Sequence, residues 1–142
     1  MSGYIDMHCH ILPEVDDGAQ SIEETVQMLR IAYREGIRCI IATPHHHPKR
    51  GMEHPERLRK KLTIVRREAK KIDEKFRVYL GSEIFFGQDV AEKLKAGRAL
   101  SMNKRQCVLL EFSPTDSFSY IQQGIQSVQM AGYEVILAHA ER

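Results

Sequence analysis

The chain has 142 residues, of which 42% are hydrophobic and 28% charged, a balance that fits one globular domain and excludes a disordered tail or a fibrous repeat. Lysine and arginine number 21 against 19 acidic residues, so the formal charge is only +2 and no nucleic-acid partner is implied. The unusual feature is seven histidines in a chain with no tryptophan, clustered as His8, His10, His45, His46 and His47.

In chain order, an apolar stretch from Tyr4 to His8 predicts a first strand, followed by a loop through Asp16, Asp17 and Gly18. Ser21-Ile22-Glu23-Glu24 has the Ser-x-x-Glu form of a capping box, so a helix starts there. Ile22, Val26, Leu29 and Tyr33 continue it at helical spacing to Gly36, and Ile37 to Ala42 is an apolar run of strand length. The rhythm repeats with Leu58, Leu62, Val65, Ala69 and Ile72 on one helical face before a strand from Arg77 to Leu80. A short helix over Asp89 to Lys95, a strand over Gln106 to Leu110, a helix over Tyr120 to Ala131 and a strand over Glu134 to Ala138 complete the pattern. Strands alternating with helices predict an α/β fold with a parallel sheet, and no repeat or linker divides it into domains.

Cys9, Cys39 and Cys107 are odd in number and lack framework spacing, and no leader pattern precedes Ile5, so the chain is expected to be cytoplasmic and reduced. Cys39 and Cys107 lie in apolar runs and are expected in the core. Cys9 alternates with His8 and His10 and is expected to point to the opposite face. No apolar run approaches the roughly 20 residues a bilayer span needs. Residues Pro55 to Lys75 carry nine basic and four acidic side chains, expected as a solvated helix face, with an acidic or phosphorylated polypeptide as the alternative partner.

Every predicted strand runs into a potential metal ligand: His8-Cys9-His10, Thr43-Pro44-His45, Gly81-Ser82-Glu83, Glu111 and His139. In parallel α/β folds the carboxyl ends of the strands converge, so these residues can form one site. Imidazoles with carboxylates suit Mn, Fe or Zn. Two such ions roughly 3.5 to 4 Å apart can clamp a phosphate ester for hydrolysis. Glu83 and Glu111 directly follow apolar strands, where a buried carboxylate needs either a cation or an arginine partner. His46 and His47 are as well explained as solvated loop residues, and His54 as a surface residue.

The segments Ile5-Asp6-Met7-His8-Cys9-His10, Val15-Asp16-Asp17-Gly18-Ala19, Thr43-Pro44-His45, Gly81-Ser82-Glu83-Ile84, Leu110-Glu111-Phe112 and Leu137-Ala138-His139-Ala140-Glu141-Arg142 together resemble the PHP (polymerase and histidinol phosphatase) superfamily. Within it the chain is most similar to the bacterial manganese-dependent protein-tyrosine phosphatases of capsule and exopolysaccharide loci. The resemblance implies a PHP-type distorted (βα)7 barrel, of which this chain would form a single partial domain with about the first five βα units. It implies up to three divalent ions, Mn first and Fe or Zn as alternatives. One ion would use His8, His10 and a bridging Glu83, a second Glu83, Glu111 and His139, and a third Asp17 and His45. Arg142 would bind substrate phosphate. The implied reaction is attack by a metal-bound hydroxide on phosphotyrosine in a bacterial tyrosine kinase, regulating capsular or exopolysaccharide synthesis.

Family members continue with further strands and a late Asp-x-His pair, so by this pattern only the second ion has its full protein ligand set here, and impaired activity is expected. A barrel ending after the fifth strand would leave a parallel edge and apolar helix faces uncovered, which predicts a homo-oligomer. Two other readings compete: a histidinol phosphatase or other small phosphoesterase, and a non-catalytic protein that binds metal or a kinase.

Overall fold

A computed structural model describes residues 3–49 and 54–139. Seven parallel strand segments alternate with helices: β1 (Tyr4–Cys9), α1 (Ile22–Arg34), β2 (Ile37–Ala42), β3 (His45–His46), α2 (Pro55–Ile72), β4 (Arg77–Leu80), β5 (Glu83–Phe85), α3 (Val90–Lys95), β6 (Cys107–Glu111), α4 (Phe118–Met130) and β7 (Glu134–Leu137). A 3-10 turn over Met102–Lys104 precedes β6.

The expected helix signals are in place. Ser21 caps α1, its Oγ accepting the Glu24 N–H at 3.2 Å, while the Glu24 carboxylate takes the Gln20 N–H at 2.7 Å. Gly36, at φ +94°, ends the turn after α1 in a conformation that a side chain would disfavour. Pro55 opens α2 behind His54, whose ring Nδ1 accepts the Glu56 N–H, so this exposed histidine serves as a cap. Ser117 caps α4 by accepting from Tyr120 N–H.

The strands form two sheets, ordered β1-β2-β4 and β3-β5-β6-β7. The predicted second and third strands therefore each continue past a two-residue interruption, Thr43-Pro44 or Gly81-Ser82, into a short strand of the second sheet. Local sequence reads those dipeptides as strand ends because proline lacks a donor and glycine weakens a strand. Tertiary hydrogen bonds carry the pairing across them: Thr43 N–H to Cys9 O and Gly81 N–H to Ala42 O at 2.8 Å, and Glu83 N–H to Pro44 O at 2.9 Å. Other boundaries move by one or two residues, as at β1, which extends to Cys9, and α4, which starts at Phe118.

Three apolar clusters lie against the sheets among the described residues, two large and a small one of Met102, Leu109 and Ala138. Leu29 of α1, Leu58, Leu62, Val65 and Ala69 of α2, and Ile40 and Val78 of the first sheet form one, the α2 residues being those its periodicity predicts. Ile84, Leu110, Phe86, Phe112 and Val128 form the other large one. The opposite face of α2 is solvated as expected, with Arg57, Arg59, Lys60, Arg67 and Lys70 exposed. Among the described residues no helix is long and apolar enough to cross a membrane.

Leu29 is fully buried whereas the Ser21 cap lies at the surface of the helix start, so the two positions should differ in cost. Leu29→Ala is expected to lower unfolding free energy by about 2–5 kcal/mol and Ser21→Ala by about 1 kcal/mol, measured by urea denaturation.

Candidate metal centre

The site begins where β1 leaves the first sheet. The Thr43 hydroxyl, fully buried, accepts the Cys9 N–H at 2.9 Å, while the Thr43 N–H donates to Cys9 O. Strand alternation then sends His8 and His10 to one side and Cys9 to the other, where it packs against the first core. Burial, reinforced by Asp6 and Asp16, pushes the Cys9 thiol up to about 12, which favours its neutral form.

Glu83, the first residue of β5, is fully buried with an imidazole on every side. Its Oε1 lies 3.0 Å from His8 Nε2, 2.9 Å from His10 Nε2 and 3.4 Å from His45 Nδ1, and its Oε2 lies 2.8 Å from His139 Nε2. Burial alone would favour the neutral acid, but the close imidazoles of His10 and His8 and the charge of His8 and His45 hold the carboxyl well below its usual range. Glu111, at the end of β6 and 2% exposed, places Oε1 3.5 Å from His45 Nδ1. His139 follows β7 with a left-handed φ of +55°, uncommon outside glycine, and this turn aims its ring at Glu83.

The Asp-Asp-Gly loop closes the cluster from the other side. Asp16 Oδ1 accepts the Gly18 N–H at 2.9 Å, and Oδ2 accepts the His45 backbone N–H at 2.9 Å and stands 3.1 Å from His10 Nδ1. His10 is thereby gripped at both nitrogens, by Asp16 and by Glu83. Burial opposes its charge, yet these two carboxylates outweigh burial and push His10 up to about 9. Asp16 itself, though buried, is held below the usual carboxylate range by His10 and the two backbone donors. Asp17 stays exposed and reaches His45 Nε2 at 3.1 Å. Gly18 is required by close approach, since a Cβ there would lie 2.3 Å from His10 O and 2.4 Å from His10 Cβ.

All seven ligand residues expected from sequence, His8, His10, Asp17, His45, Glu83, Glu111 and His139, come together, and proximity sorts them into three groups. These are His10, Asp16, Asp17 and His45; His8, Glu83 and His139; and His45, Glu83 and Glu111. Arg142 lies outside the described residues. The residue that sequence reasoning passed over is Asp16, whose signal was its place in a tandem acid pair followed by glycine. His46 departs from the expected solvated loop: it lies in β3, is 9% exposed, and burial with Lys93 nearby lowers its pKa. Cys39 and Cys107 depart too, both half-buried rather than inside the core: Cys39 is paired between Ile5 and Arg77 towards the sheet's amino end, and Cys107 packs at the margin of the small cluster of Met102, Leu109 and Ala138.

The donor set fits divalent metal. His8 Nε2, His45 Nδ1 and both Glu83 oxygens are buried without a well-formed hydrogen bond, which is costly unless a cation satisfies them. Imidazole and carboxylate donors without thiolate match Mn, Fe or Zn. Asp16 then acts from behind, orienting the His10 ring as outer carboxylates commonly orient ligand histidines.

Comparison with known proteins agrees with this geometry. The family of capsular polysaccharide synthesis proteins CpsB/CapC matches residues 4–142. The chain is 36% identical over 140 residues to tyrosine-protein phosphatase CpsB of Streptococcus agalactiae, covering 97% of this chain and 57% of that protein. It is 37% identical over 138 residues to tyrosine-protein phosphatase YwqE of Bacillus subtilis, covering 97% of this chain and 54% of that one. Among crystal structures of YwqE from Bacillus subtilis and CpsB from Streptococcus pneumoniae, described as metal-dependent tyrosine phosphatases, one superposes with a TM-score of 0.87 at 36% identity, over 97% of this chain and 56% of that chain. The chain thus spans about half the length of the relatives it matches.

Asp16→Ala and Gly18→Ala should each weaken divalent-metal binding by about 10–100-fold, the first by releasing the His10 ring and the second by displacing its backbone. Titration calorimetry measures the loss, with circular dichroism to verify that the fold is kept.

Proposed function

Because the chain belongs to the capsular polysaccharide synthesis CpsB/CapC family, we propose that it is a metal-dependent phosphatase acting on phosphotyrosine in protein. The observation that carries this reading is Glu83, a fully buried carboxylate contacted by four histidines, His8, His10, His45 and His139. We assign His8, His10, Asp17, His45, Glu83, Glu111 and His139 as ligands of as many as three ions, with manganese as the physiological metal. When bound, such ions lower the pKa of water and neutralise charge on a phosphate ester.

The protein's own groups hold and orient. Glu83 stays ionised at neutral pH and spans two ligand groups, so it fixes their separation. Asp16 holds His10 and the backbone of His45 in one arrangement, and Thr43 holds the strand end from which His10 projects. Arg142 is assigned to the substrate phosphate. The buried Cys9 thiol, raised by burial, argues against a cysteine nucleophile.

The same reading extends to the surroundings. Parallel pairing that follows chain order supports a single partial domain of a distorted (βα)7 barrel, this chain providing about the first five units. The substrate is a tyrosine-phosphorylated bacterial protein kinase in the cytoplasm, and the outcome is control of capsular or exopolysaccharide synthesis. Tyr4, Ile5 and Met7 of the outer strand β1 are 71%, 62% and 43% exposed, which supports a homo-oligomer that covers them.

Manganese should stimulate phosphate release from phenyl phosphate, and His8→Ala or Glu111→Ala should cut that rate by about a hundredfold or more. Turnover that persists at full rate in chelator would overturn the reading. Light scattering is expected to give a mass above that of one chain.

A further inference from the structure

Resting on the phosphatase reading, a second concavity beside the metal centre points to how the substrate is selected. It has a volume of about 290 Å³ and shares Glu111 with the ligand cluster. His47, Pro48, Phe85, Phe112 and Pro114 give it mostly apolar and aromatic walls, and Lys49 stands exposed at its edge.

Its position follows from strand register. His45 and Glu83 are directly paired across β3 and β5. His47 and Phe85 stand two residues further along the same two stretches of chain, so period-two alternation keeps them on the face that carries the ligands. Their rings lie 4.2 Å apart between centroids, and the His47 ring is 6.3 Å from that of His45, nearly perpendicular to it. The two neighbouring stretches thus present first a pair of metal ligands and then a pair of rings. His47 Nδ1 accepts the Lys49 N–H at 3.0 Å, which fixes the orientation of its ring.

The volume admits one aromatic ring and falls below the usual range for drug-sized ligands. Offset or edge contacts with His47 and Phe85 would hold a ring there, and the prolines supply further apolar surface. A small alkyl group would leave those faces uncovered. We propose that this concavity is the subsite for the aromatic ring of an aryl phosphate monoester whose phosphate lies at the metal centre, and that His47 and Phe85 set the preference for aryl over alkyl esters.

The test compares phenyl phosphate with ethyl phosphate on the manganese-loaded chain, alongside calorimetric binding of phenylphosphonate and methylphosphonate. Wild type should favour both phenyl compounds. Phe85→Ala should reduce the kcat/KM ratio of phenyl over ethyl phosphate about tenfold, chiefly through KM, with the same fall in the phosphonate affinity ratio. Phe85→Leu, which keeps most of the bulk, should lie between. Equal losses for phenyl and alkyl compounds would overturn the subsite. If wild type hydrolyses neither ester, the phosphatase reading fails while the phosphonate ratio still decides the subsite: a phenyl preference lost in Phe85→Ala supports it, and no preference overturns it.

Discussion

A single buried charge organises the molecule. Glu83 has no access to water, and four imidazoles converge on its two oxygens from β1, the loop after it, β3 and the turn after β7. An ionised carboxylate in that position would be prohibitive without such partners, and histidines crowded at this distance would be unfavourable without the carboxylate. The strand interruption at Gly81-Ser82 is what delivers Glu83 there. It moves the chain from the edge of the first sheet into the second, so the residue that opens β5 faces the ends of the neighbouring strands.

Around this charge the work is divided between the imidazoles that contact Glu83 and the residues that hold them in place. Asp16 uses two oxygens for three partners, and its pull on the His45 amide ties the loop after β1 to the start of β3. Gly18 leaves room for the His10 backbone directly behind that loop. Thr43 substitutes a side-chain oxygen for a ladder acceptor at the point where β1 must release His10 from the sheet. Each of these residues sits in a loop or a strand break, where departure from regular pairing makes the site possible.

Much of this was legible in the sequence because the signals are local. The 4-3-4-3 spacing from Leu58 to Ile72 and the Ser21 cap give helices that need no tertiary information, and an acid or histidine after each apolar run marks the converging ends. The strands β3 and β5 were not legible, since two or three residues carry no periodicity and exist only through pairing to each other and to β6. The burial of His46 followed from the same omission: a histidine triplet reads as polar loop until the first two members are known to be strand. The role of Asp16 depends on a bond to an amide 29 residues away, which no spacing rule anticipates.

The order of the strands in space, β1-β2-β4 continuing through the breaks into β3-β5-β6-β7, matches their order in the chain. Each newly synthesised strand therefore finds its partner already present, and the sheet can lengthen at one edge as the polypeptide leaves the ribosome. His8 and His10 must wait for Glu83, and Glu83 for His139, so the cluster is an incomplete set of donors until residue 139 has been made. The carboxylate is thus made before its last imidazole partner, and that partner reaches it only once β7 has paired with the edge of β6.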